Sequence, residues 1–113
     1  MVASGASVAW LQQNILKGEQ SVEQLSKDAQ SVAPGSEGLI FLPYMMGERS
    51  PIWHTNARGV FFGLSLTTTP AMMFRAVLEG TAFALAHNVE IGKAAGIKID
   101  EIRSIGGGSK SEL

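Results

Sequence analysis

Residues 38–65 read GLIFLPYMMGERSPIWHTNARGVFFGLS, and their reading decides the class of fold. The first part, GLIFLPYM, is a short, fully apolar strand candidate. Pro43 marks its end, because a proline has no N–H to give to a sheet ladder. The last part, continued as GVFFGLSL, predicts a second strand, with glycines on both sides of its aromatic pair. Between the two, MGERSPIWHTNARG has turn chemistry and no clear period. It is expected to form a long, ordered loop.

Working outward toward the C-terminus, TPAMMFRAVLEGTAFALAHNVEIGKAAG carries the strongest helix signal. Thr69 is the expected N-cap, and Pro70 falls at the first helical position, where its missing N–H costs nothing. Phe74, Leu78, Ala82, Leu85 and Val89 form one apolar stripe, while Met73, Val77, Gly80 and Ala84 form another. A helix apolar on two faces is expected to be buried against a sheet. Arg75 and Glu79 stand one helical turn apart and can pair, and Gly96 supplies the stop. IDEIRSI then predicts a third strand, running straight into Gly106, Gly107 and Gly108.

Toward the N-terminus, SGASVAWLQQNILKG predicts a helix that starts at Ser4 or Gly5, shows Val8, Leu11 and Ile15 on one face, and ends at Gly18. SVEQLSKDAQSVAPGS predicts a second helix, with Ser21 and Gln24 spaced as a capping box. Val22, Leu25, Ala29 and Val32 form its narrow apolar stripe, and Pro34-Gly35 closes it. The order helix, helix, strand, loop, strand, helix, strand is an α/β layout. Its strands are too few for a sheet flanked by this much helix, and no helix follows the last glycine loop. The chain is accordingly expected to be a piece of a larger domain, cut at both ends.

Composition narrows the function classes. Of 113 residues, 45% are apolar and 17% charged, which suits a globular core and not a disordered segment. Nine Lys and Arg against ten Asp and Glu leave a net charge of −1, so no basic face points to nucleic acid or anionic lipid. With no cysteine, a disulfide framework and a thiolate zinc site are both excluded. No apolar run reaches the roughly 18 residues of a membrane span. MVASGASVAW lacks the basic and apolar regions of a signal peptide. A cytoplasmic location is expected.

The chemistry-bearing residues are few. SIGGGSKSEL offers glycine backbone after a strand, an arrangement suited to a phosphate or ribose, although a plain turn has the same composition. It is neither a P-loop, since Ser109 and not glycine precedes Lys110, nor a dinucleotide fingerprint, since the glycine spacing fails. Glu48, Arg49 and Arg58 either line a site or hold the loop in place, and the second role is favoured because an irregular loop needs partners for its polar groups. His54 has no second ligand at metal spacing, and His87 is expected to be a solvated or hydrogen-bonded helix residue. The adjacent pairs Met45-Met46 and Met72-Met73 read as core packing.

Taken together, GLIFLPYMMGERSPIWHTNARGVFFGLS, RAVLEGTAFAL and SIGGGSKSEL resemble the C-terminal domain of the FGGY carbohydrate kinases, and SGASVAWLQQN looks like the helix that opens this stretch in the family. FLPYMMGERSP and GVFFGLS are most similar to xylulokinases, and GERSPIW with NARG is also similar to gluconokinases. The resemblance implies a partial ribonuclease-H-like (actin-like ATPase) domain: residues 1–113 would be the nucleotide-side half of the C-terminal domain, without the N-terminal sugar-binding domain. It implies an ATP-dependent sugar kinase, working with Mg2+, that converts D-xylulose to D-xylulose 5-phosphate, with gluconate as the alternative substrate; a homodimer is expected. A non-catalytic nucleotide-binding or sensor module is the alternative class. Gly106, Gly107, Gly108 and Ser111 match the family's adenosine loop, and Gly5 and Ala9 match a helix face turned to the nucleotide. Glu48, Arg49, Arg58 and Glu79 match structural positions. The catalytic aspartate, the magnesium carboxylates and the sugar contacts are expected outside this segment, which alone would be inactive.

Overall fold

The computed structural model describes residues 4–106 and Gly108. Helix α1 (Ser4–Trp10) runs directly into a π-helical turn, Leu11–Ile15. Helix α2 (Val22–Ala29) follows, then a tight turn, Ser36–Gly38. Strands β1 (Ile40–Leu42) and β2 (Val60–Phe62) are joined by the long loop, and helix α3 (Pro70–Ala94) closes the regular structure.

Local signals explain most boundaries. Ser21 caps α2 by accepting the backbone N–H of Gln24 at 3.1 Å. The reciprocal half of the capping box is not made, because the Gln24 amide donates to Asp28 Oδ1 at 2.7 Å, one turn further on. Thr69 Oγ1 caps α3 by accepting from the N–H of Met72 at 3.3 Å, with Pro70 in the first turn as expected. Gly96, at φ +86°, ends that helix in the left-handed conformation.

The hydrophobic core forms where α3 meets everything else. Leu11, Leu25, Ala29, Leu39, Phe41, Phe74, Ala76 and Val77 make one buried cluster, and α3 touches α1, α2, β1 and the 36–38 turn. The strands pair antiparallel, with Ile40 opposite Phe62, Phe41 opposite Phe61 and Leu42 opposite Val60. Phe41 points into the core against α3, and its ring tilts against that of Phe61, with centroids 4.7 Å apart. Helix and strand approach so closely that a Cβ on Gly80 would collide with the carbonyl oxygen of Phe41. Met45, Met72 and Met73 pack against this core, while Met46 is exposed.

A run of left-handed backbone leads into β1: Gly35, Ser36, Glu37 and Gly38 have φ of 90°, 47°, 55° and 85°. Two non-glycine residues in this region are unfavourable by themselves. The turn is held by buried Ser36, whose Oγ donates to the Met72 carbonyl at 2.6 Å, and by Glu79, whose carboxylate accepts the Gly35 N–H at 3.1 and 3.2 Å. Arg75 completes the brace, donating to Glu79 at 2.8 Å and to the carbonyl of Ala29 at 3.2 Å. This pair forms as its spacing allows and is largely shielded from water.

Three expectations change. IDEIRSI is not a strand: no regular structure covers residues 97–105. Among the described residues β1 and β2 pair only with each other, so no third ladder takes the N–H and C=O groups of this segment. Its Ile97 and Ile99 side chains approach Gly92 instead. In the first helix the π turn replaces Ile15 on the core face by Leu16. In α3 the stripe of Met73, Val77, Gly80 and Ala84 is buried or half-buried. The other stripe is covered at Phe74 and Leu78 but exposed at Ala82 and Leu85.

Candidate nucleotide site

Gly5 and Ala9 lie one turn apart on α1 and are both exposed, on the side away from fully buried Ser7 and Leu11. A Cβ added to Gly5 would meet nothing within 4 Å, so the backbone at this end of the helix is open to approach. Gly106, at φ +95°, and Gly108 are likewise exposed, with no atom within 4 Å of an added Cβ. At Gly106 the left-handed conformation itself favours glycine. Gly107 and Ser111, the remaining members of the expected adenosine loop, lie outside the described residues. Exposed backbone is thus presented at Gly5 before the core and at Gly106 and Gly108 after α3. Among the described residues, no group of three His, Cys, Asp or Glu side chains is placed to hold a metal ion.

The GERSP loop is built as a brace. Glu48 is only 2% exposed, and its Oε1 accepts the backbone N–H of Arg49 at 2.7 Å and of Ser50 at 3.2 Å. Burial alone would push this carboxyl up, but the Arg49 and Ser50 N–H groups are among the interactions that more than offset it, leaving the group below its ordinary value. Two backbone hydrogen bonds between Glu48 and His54, at 3.0 and 2.9 Å, pinch the loop shut. Gly47 is required at the neck of this pinch: a Cβ there would lie 2.5 Å from the Thr55 carbonyl oxygen. Arg58 donates to the carbonyls of Ala57 at 2.8 Å and Thr55 at 3.3 Å, and Ser50 Oγ pairs with Asn88 Oδ1 of α3 at 2.7 Å. The structural role of Glu48, Arg58 and Glu79 holds, with one difference. Glu48 takes backbone N–H groups, and the arginine paired to Glu79 is Arg75, on the helix. Sequence reasoning missed Ser36, because a buried serine in a left-handed turn has no periodic signature.

An α/β piece of this layout, with an open glycine segment after its long helix and an exposed glycine on its first helix, is defined by its relatives as part of a sugar kinase domain. The description "FGGY family of carbohydrate kinases, C-terminal domain" matches residues 1–113, and the chain belongs to that family. It is 41% identical over 112 residues to the xylulose kinase of Staphylococcus epidermidis, covering 99% of this chain and 22% of that one. It is 40% identical over 90 residues to the gluconokinase of Bacillus subtilis, covering 79% of this chain and 18% of that one. The solved xylulose kinase from Rhodospirillum rubrum superposes with a TM-score of 0.85 at 34% identity, covering 96% of this chain and 22% of that chain. The fold is therefore that of the FGGY sugar kinases, present in part. The chain spans about a fifth of the length of the curated relatives it matches.

Proposed function

We propose that these residues belong to an ATP-dependent sugar kinase that phosphorylates D-xylulose to D-xylulose 5-phosphate, and that they supply the adenosine side of its nucleotide site. The observation that carries the reading is the likeness to a xylulose kinase along 99% of the chain, against 79% for gluconokinase. Gluconate is the second candidate substrate on that same ground. The nucleotide surfaces would be the α1 face at Gly5 and Ala9 and the loop at Gly106, Gly107, Gly108 and Ser111. The open backbone at Gly5, Gly106 and Gly108 fits a group that packs on main chain without side-chain obstruction.

Phosphoryl transfer depends on positioning and on stabilising charge, and the described residues offer backbone surfaces with no acidic cluster. Mg2+ accompanies ATP in this proposal, its carboxylate ligands and the catalytic aspartate lying outside residues 1–113. The segment by itself is inactive, the N-terminal sugar-binding domain being a separate unit. The whole enzyme works as a cytoplasmic homodimer, and no helix among the described residues is long and apolar enough to cross a membrane. The test is ADP release by the full-length protein with D-xylulose, gluconate and glycerol offered separately at equal concentration. A strong preference for xylulose is expected. A preference for gluconate would transfer the assignment to gluconokinase, and no turnover with any of the three would favour a nucleotide-binding sensor.

A further inference from the structure

The first helix holds two aliphatic residues where its core face uses one. Ser7 and Leu11 are fully buried, and in a regular α-helix the next residue on that face is Ile15, four on from Leu11. The π turn moves the position on by one. The Leu16 N–H donates to the Leu11 carbonyl at 2.9 Å, a bond five residues back, so Leu16 packs against the core and Ile15 is 44% exposed.

This register has costs. π geometry is rare in helices, and the chain then turns through two left-handed residues, Lys17 and Gly18, at φ 53° and 69°. For a lysine that conformation is unfavourable. Against these stands the partial burial of Leu16 against the core. Isoleucine and leucine are isomers, however, so the α register would bury an equivalent apolar side chain in the same place by turning Ile15 inward. The terms that separate the two registers are small and opposed. We infer that residues 11–16 form a two-register segment, interconverting between a π form with Leu16 inside and an α form with Ile15 inside.

The change turns Gln12, Gln13 and Asn14 progressively about the helix axis, least at Gln12 and most near Ile15. The Gln12 side-chain amide donates to the Gln20 carbonyl at 3.0 Å and ties this helix to the approach to α2, so the register acts on the link between the two helices. The segment is thus a conformational device between α1 and α2, and it does not depend on the nucleotide reading of Gly5 and Ala9.

The test uses the full-length protein with Ile15→Ala, Leu16→Ala and the two combined, reading hydrogen-exchange protection of the amides of residues 11–16 and the Ile15 δ1 methyl signal. With two registers, Ile15→Ala leaves protection nearly unchanged and Leu16→Ala lowers it less than about tenfold. The double variant then loses about a hundredfold, far beyond the product of the singles. In Leu16→Ala the Ile15 methyl moves to a core environment. A Leu16→Ala protein that fails to fold, or loses as much as the double variant, or leaves the Ile15 methyl in its original environment, overturns the inference.

Discussion

Glu48 shows how a buried carboxylate can hold the backbone of its own loop. It sits in an irregular loop, and it answers two adjacent N–H groups with one oxygen. Glu48→Ala would leave both donors without that acceptor and is expected to cost about 2 kcal/mol of stability in chemical denaturation. Glu48→Gln, which keeps a carbonyl oxygen, should cost clearly less. The sign of the pH effect follows from the lowered carboxyl. Its contribution is complete above the ordinary value of 4.5 and is lost as pH falls through the lower folded value. Stability of the Glu48→Gln protein should therefore fall less steeply below that pH than stability of the parent. Gly5 tests the proposed site at the same scale. Gly5→Val adds a branched side chain on an exposed, open surface, so the fold should persist while the KM for ATP rises about tenfold and the KM for the sugar stays put. An unchanged ATP dependence would remove α1 from the nucleotide site.

Among the elements, α3 carries two glycines whose replacement should act in opposite directions. At Gly80 an added methyl meets the Phe41 carbonyl, so Gly80→Ala should destabilise by about 1–3 kcal/mol through forced separation of helix and strand. At Gly92 the added methyl would lie 3.5 Å from Ile99 Cδ1, an ordinary contact, and Gly92→Ala should stabilise by about 0.5–1 kcal/mol by relieving backbone entropy. Thermal unfolding of the two variants side by side checks the pair. The contrast also marks what was legible beforehand. Thr69, Pro70 and Gly96 announce α3 because caps and stops act locally, and Pro43 announces the end of β1 for the same reason. The apolar pattern cannot distinguish Leu16 from Ile15, since one extra residue in a turn leaves no compositional trace. IDEIRSI reads as a strand because alternation is local, whereas pairing is not. The glycine loop was legible as open backbone, but nothing in its composition says what occupies it.

At the scale of the whole molecule, the outward face of the hairpin is an exposed apolar surface among the described residues. Ile40 and Phe62 are directly opposed, as are Leu42 and Val60, and all four are exposed. Patches of this kind drive association, so the isolated chain is expected to form dimers or larger species in light scattering. Replacing Ile40 and Phe62 together by lysine should return it toward a monomer, and a clean monomer of the unchanged chain at high concentration would count against this. The opposite end of the molecule has a different consequence, best put in terms of cleavage. The GERSP loop, although long, has its neck pinned at Glu48 and His54, which should shield Arg49 and Arg58 from trypsin. Over residues 97–105 no regular structure protects the backbone, and Lys98 and Arg103 carry largely exposed side chains. Trypsin should therefore detach the glycine segment first and leave the core whole, so that a nicked protein would keep its fold while losing the surface proposed to meet the nucleotide.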